Sequence, residues 1–407
     1  MGRSNVVRMD SEENYLQDEP EFSLMLGGPL YQLYLRTKLA QAPLELLIRR
    51  MVDIPLICWL PLLLLAAGGA RLTDGVPVPF LRDFEVHIRF FLALPLLIAS
   101  EVLVQSRIQK VVAQFPARGL IALQDHERFE NIVASAMRLR NSVAAEVIML
   151  LLVVTVGYGI WKQNLTLPVP TWYALDHGGE MRLTAAGWYY AHVSLSVFRF
   201  ILLRWYWRLF IWYRFMWQVS AMPLKFNFYH PDRACGLGFL TDSALAFAPV
   251  LTSQMMVVTG FLLDQILYAG KRLQGFQMEI IGALVVGVIV VILPLSFFAV
   301  RLEQAGRTAR RELGVLASQY VTGFRRKWVE GGVRDVSAEE NLLGTPDIQS
   351  LADMANSFGV VSEMRLLPLT KQTLIRLVIL IGFPLLPLTL TVVPLDQIVR
   401  SLFKLAF

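Results

Sequence analysis

Charge is scarce in this sequence: only 17% of its 407 residues are Asp, Glu, Lys or Arg, while 55% are apolar. A soluble domain carries roughly 25% charged residues, so a chain of this length has too little charge to cover soluble surfaces. The mean hydropathy of +0.50 points the same way. These figures exclude disordered, coiled-coil and disulfide-rich secreted chains and leave a multi-pass membrane protein. Cysteine is nearly missing: Cys58 sits in an apolar run and Cys235 in a polar loop, so no disulfide is expected. Five histidines (His87, His126, His177, His192 and His230) fall in different expected compartments, which assembles no metal site. Nor is there a G-x-S-x-G, H-E-x-x-H, P-loop or paired C-x-x-C motif. No catalytic residue, metal or cofactor is therefore assigned. The first twenty residues are polar and acidic, unlike a secretory signal.

What the sequence does have is long apolar runs. About 20 such residues cross ~30 Å of hydrocarbon. Stretches near Ile54–Ala70, Phe84–Val104, Val143–Trp161, Trp188–Leu209, Ala244–Leu263, Ile280–Val300 and Leu374–Leu395 predict about seven helices. The fourth remains aromatic to Val219, too long for a modest tilt, and is expected to continue past the membrane or bend along its surface. Pro55, Pro61, Pro95, Pro249, Pro294, Pro384 and Pro387 punctuate the runs, each removing a backbone donor.

Lys and Arg are dense before the first run, between the second and third, and between the sixth and seventh, which predicts the N-terminus inside. Lys271 and Arg272 in the fifth-to-sixth connection run against the alternation. The net charge of +6 is read as topology, and no nucleic-acid partner is expected. The resulting organisation is a polar tail with an interfacial segment (1–51), a six-span bundle (52–300), a helical cytosolic insertion (301–373) and a last span with a short amphipathic tail (374–407). The segment Phe22–Arg50 is expected either to lie in the inner interface, anchored through Tyr31 and Tyr34, or to pack under the bundle. In the insertion, Leu302, Ala305, Ala309, Leu313, Leu316, Tyr320, Phe324 and Trp328 recur at helical spacing, predicting an amphipathic helix carried straight out of the sixth span. Gly331-Gly332 would stop it, and Ser337–Glu340 has capping-box spacing. Its Arg310, Arg311, Arg325 and Arg326 suit a solvated face, or the binding of anionic lipid, nucleotide or nucleic acid.

Ionisable residues inside a span are costly and mark candidate sites. Glu101 falls near the inner end of the second run and Glu146 one turn inside the third. On the fourth, Tyr189, His192, Ser196, Arg199 and Tyr206 lie within ~100° of one another on an ideal helix, a polar stripe through the membrane. Arg204 and Arg208 sit at the estimated depth of Glu101 and Glu146 and are expected to pair with them. His192 and Arg199 would then line a polar cavity for an ion, a proton relay or an anionic solute. Buried ion pairs that merely fix helix register are the bland alternative.

The loop Asn227–Asp242 is the densest polar segment. His230-Pro231-Asp232 signals a turn, and Gly236 and Gly238 permit positive φ or close backbone approach. His230, Asp232 and Cys235 fit no zinc spacing, and Gly236-Leu237-Gly238 lacks the rest of a dinucleotide fingerprint.

The strings Tyr229–Leu240, Leu343–Met354 and Pro387–Leu395 resemble segments of uncharacterised bacterial multi-pass inner-membrane proteins. The resemblance implies a bacterial inner membrane and no particular activity. Transport or channel function is the leading expectation. A membrane scaffold or sensor, presenting 301–373 to a cytosolic protein or a second copy, is next. A membrane enzyme using Glu146, His192 or the His230 loop is third.

Overall fold

The computed structural model describes residues 22–25, 27–28, 47–164, 169–177, 180–330 and 346–391. Helix accounts for 78% of the structure. Among the described residues five helices are long and apolar enough to cross a membrane: α1 (Leu47–Gly68), α2 (Phe84–Ala117), α6 (Gly238–Tyr268), α7 (Leu273–Ser296) and α10 (Lys371–Thr389). Two further helices run among them, α4 (Val143–Asn164) and α5 (185–220). In α4 the described apolar stretch is the shorter Val143–Thr155. In α5, Arg199, Arg204, Arg208 and Arg214 interrupt the apolar run. At ~1.5 Å per residue α5 is about 54 Å long, a continuous helix to Ser220.

The chain passes between two ends of the bundle. One is rich in arginine and carries helix α3 (His126–Arg140). The other carries a departure from the expected all-α architecture, an antiparallel hairpin of β1 (Ala174–His177) and β2 (Glu180–Leu183) in which Leu175 faces Arg182. Helix α6 is the hub, packing on α2 and α10, and the core runs through Phe90, Leu94, Trp205, Trp212 and Phe247.

The helix expected to run straight out of the sixth span does not. A turn at Phe297-Phe298, where Phe298 N–H reaches back to Leu295, separates α7 from α8 (Ala299–Arg325). Pro294 lies in the last turn of α7, where it removes one backbone donor. Leu302, Ala305, Ala309 and Leu313 of α8 are buried, whereas Leu316 is exposed. A five-residue π turn (Arg326–Glu330) extends α8. Helix α9 (Pro346–Ser362) folds back along it, with the Tyr320 hydroxyl donating to Asp347 O at 2.9 Å. The interfacial segment with Tyr31 and Tyr34, the Gly331-Gly332 stop, the Ser337 capping box and the chain after Thr391 lie outside the described residues.

Candidate functional site

Two layers of buried charge cross the bundle. In the layer toward the arginine-rich end, Glu101 of α2 accepts from Arg50 Nη1 of α1 at 2.6 Å and from Arg208 Nη2 of α5 at 2.9 Å. One turn earlier on α5, Arg204 Nε lies 3.5 Å from Glu146 Oε1 of α4. Arg50, Glu101, Arg204 and Arg208 are all buried. The i,i+4 spacing of Arg204 and Arg208 aims both guanidiniums at one side of α5, and Arg208 also lies 4.9 Å over the Trp205 ring. The sequence marks Arg50 only as a topological charge, yet its side chain is 1% exposed and bridges α1 to α2.

The second layer lies toward the hairpin, about 24 Å away along α2 at ~1.5 Å per residue. Asp83 caps α2, accepting from Val86 N–H at 3.0 Å and from the Trp172 indole at 2.8 Å. Asp264 of α6 takes Phe84 N–H at 3.1 Å and Glu85 N–H at 2.9 Å, so two carboxylates share one helix N-terminus. Gly260 permits the approach, since a Cβ there would lie 2.8 Å from Glu85 Cα. Glu85 pairs with Arg89 one turn on, and the Arg89 guanidinium sits 5.3 Å over Phe198. Neither Asp83 nor Asp264 belongs to a recognisable sequence motif. The sequence signal for Asp264 is a carboxylate directly at the end of the fifth apolar run, Ala244–Leu263.

Between the layers the expected stripe on α5 is interrupted. Tyr190–Ser194 forms a π turn, facing another at Arg89–Ala93 of α2, with the Phe90 and Tyr190 rings 6.5 Å apart. A π turn inserts an extra residue and rotates what precedes it away from the 100° register. His192 is accordingly exposed and stacks on Trp188 at 4.9 Å. Tyr189 reaches α1, donating to Ile57 O at 3.1 Å. His192 and Ser196 line a groove of about 440 Å³ with Ile54, Leu150, Val154 and Phe200. That groove is aliphatic rather than polar, and Arg199 does not line it. Arg199 is half-buried against Gly157 of α4, where a Cβ would lie 3.1 Å from its Nη1. This Nη1 is buried and has no hydrogen-bond partner among the described residues.

The His230 loop is a carboxylate-centred turn. Asp232 accepts backbone N–H groups from Ala234 (2.8 Å), Gly236 (3.1 Å) and Gly238 (2.8 Å), with His230 Nδ1 3.0 Å from Oδ1. Burial opposes ionisation of Asp232, but these three donors and the His230 ring outweigh it and hold the carboxyl below its ordinary value. Gly238 is required here, since a Cβ would lie 2.9 Å from Asp232 Oδ2. The Cys235 thiol is buried and pushed up to about 12 by desolvation, which makes it unreactive. The loop also ties down the segment after α9: Arg233 pairs with Glu363 at 2.5 Å, and Arg365 N–H donates to Arg233 O at 2.8 Å.

Among the described residues no three His, Cys, Asp or Glu side chains gather as a metal site. No protein-family model, no curated protein and no solved structure matches the chain, whose chemistry is read from its own residues.

Proposed function

We propose that this multi-pass membrane protein is a transport or channel-type protein for an ion or small anionic solute, with a pathway along α5 that is closed in this conformation. The carrying observation is Arg199, whose buried Nη1 has no acceptor among the described residues. A guanidinium at membrane depth needs an acceptor, and a passing anion supplies one. The ionic layers on either side, Glu101 with Arg208 and Glu85 with Arg89, would open in turn. Proline-broken helices and two facing π turns give the bundle places to bend. In this reading α4 and α5 complete seven crossings. The arginine-rich end is cytosolic by the positive-inside rule, and the membrane is a bacterial inner membrane.

The test is anion flux in liposomes holding the purified chain. Arg199→Gln is expected to abolish flux while the protein stays monodisperse, and undiminished flux in that variant overturns the reading. A scaffold function has one observation in its favour. Val315, Leu316, Val321 and Val329 are exposed on 299–330 beside Arg307, Arg311 and Arg325, a surface suited to a cytosolic protein or a second copy. A chain inert in flux assays whose Leu316→Asp variant loses a copurifying partner would favour that reading.

A further inference from the structure

Two guanidiniums meet beside the π turns, and neither is fully satisfied. Arg89 opens the π turn of α2 and is 5% exposed. Its Nη2 donates to Glu85, but its Nε is buried and has no hydrogen-bond partner among the described residues. Arg199 of α5 is in the same condition at Nη1. The two side chains come from different helices to one place. Arg89 stands 5.3 Å over the ring of Phe198, the residue before Arg199, and Arg199 interacts electrostatically with both Arg89 and Glu85. The Phe198 ring covers one face of the Arg89 guanidinium, so an acceptor reaches it at its N–H edge. Gly157 of α4 leaves the room that Arg199 occupies.

Charge decides what fits there. Two guanidiniums stand against one carboxylate, Glu85, which leaves one positive charge uncompensated. Water would satisfy the orphaned N–H groups without neutralising that charge, and a bare charge at membrane depth is costly. Two further carboxylates lie behind Glu85: Asp83, which acts on Arg89, and Asp264, which acts on Glu85. Both already accept from the N–H groups of Phe84, Glu85 and Val86 and from the Trp172 indole. The positive end of α2 compensates them, not the arginines. Their field still opposes a second negative charge at the guanidiniums. Because both orphaned atoms are buried, the ligand that reaches them has few atoms.

We propose that Arg89 and Arg199 form a binding site for one small monovalent anion, such as a halide, nitrate or formate. Arg89 Nε and Arg199 Nη1 are its donors, and Glu85, with the two aspartates behind it, excludes a dianion such as sulfate. The inference rests on the anion reading given above and deepens it, adding a second donor and fixing the charge of the ligand. It also gives the Glu85–Arg89 pair a role beyond bracing α2: the carboxylate sets how much negative charge the arginines accept.

The test is equilibrium binding of radioactive chloride to the purified full-length chain in detergent, with bulky gluconate as the background anion. Saturable binding is expected, displaced by nitrate and formate but not by sulfate at equal concentration and ionic strength. Arg199→Gln removes one donor, and Arg89→Lys keeps a charge beside Glu85 while removing Nε. Each should weaken chloride binding by about tenfold or more, the worth of one charged hydrogen bond. Glu85→Gln should let sulfate compete, because two positive charges then face the ligand. Size-exclusion profiles must match that of the unaltered chain, and the order of nitrate over sulfate in that chain decides the matter if a variant fails to fold. The proposal falls if chloride binding is not saturable, if sulfate displaces chloride as well as nitrate does, or if a folded Arg89→Lys variant binds unchanged. Specific binding without flux upholds the site and removes the transport reading. Flux that Arg199→Gln abolishes, with chloride binding indifferent to Arg89→Lys, keeps the transport reading and removes the two-arginine site.

Discussion

The Tyr189 hydroxyl donates to the carbonyl of Ile57 at 3.1 Å, and Ile57 is the residue whose helical donor Pro61 takes away. The relationship recurs. Pro249 frees Leu245 O, which takes Arg107 Nη1 at 3.0 Å. Pro384 frees Leu380 O, which takes the Thr252 hydroxyl at 2.9 Å. Pro294 frees Val290 O, which takes the Tyr213 hydroxyl. Four proline sites thus become four joints between helices, each a donor from one element on the orphaned carbonyl of another. Tyr189→Phe is expected to cost about 0.5–1.5 kcal/mol, the worth of one such bond. The cost should largely vanish in a Pro61→Ala background, where the helix regains its own donor. A double-mutant cycle on unfolding in mixed micelles measures the coupling, and additive costs would show that the joint contributes nothing.

Glu101 holds two arginines at once, so removing its charge should cost more than removing either partner. Glu101→Gln leaves Arg50 and Arg208 buried around a neutral amide. Breaking a buried pair in this way costs about 3–5 kcal/mol. Arg208→Met, which leaves Glu101 paired with Arg50, should cost distinctly less. Thermal unfolding of the two variants in the same detergent ranks them, and equal midpoints would contradict the bridging role.

Much of this arrangement is legible residue by residue, and the exceptions have causes. The apolar runs around α1, α2, α6, α7 and α10 mark helices because length and hydropathy alone decide them. Periodicity does not show where a helix changes register: the stripe through His192 and Arg199 assumes 100° per residue, and the π turn at Tyr190–Ser194 breaks it. Arg50 looks like a surface charge because sequence position says nothing about what packs over a helix end. The Phe22–Met25 segment has no helical or strand pattern to recognise, since tertiary partners such as Gln105 and Arg140 place it.

Glycine positions separate close packing from open space. Gly187 sits where a Cβ would lie 1.9 Å from Tyr173 O, whereas Gly314 in the middle of α8 has nothing within 4 Å. Gly187→Ala must push α5 off the segment that carries Trp172 and Tyr173, and it is expected to cost about 1–3 kcal/mol or more. Gly314→Ala adds helix propensity without a clash and should stabilise α8 by about 0.5–1 kcal/mol. Protection of α8 amides in hydrogen exchange, and the thermal midpoint for Gly187→Ala, report the two effects. A neutral Gly187→Ala would mean that the close approach is not required.

The last prediction concerns acid. Asp232 is ionised by its turn: with the carboxyl held below its ordinary value in the folded protein, the folded state binds fewer protons than the unfolded chain as pH falls through the carboxylate range. Its contribution is therefore complete above the unfolded value near 4, and it declines as pH drops toward the lower folded value. Asp232→Asn should remove this part of the acid dependence, because an amide has no proton to gain. It should also destabilise at neutral pH, since an amide is a weaker acceptor for the N–H groups of Ala234, Gly236 and Gly238. Thermal midpoints of both proteins between pH 7 and 3 should converge as acidity rises. Parallel curves would show that the Asp232 carboxylate is not what the fold senses, and that the loop holds Arg233 and the segment after α9 by its backbone alone.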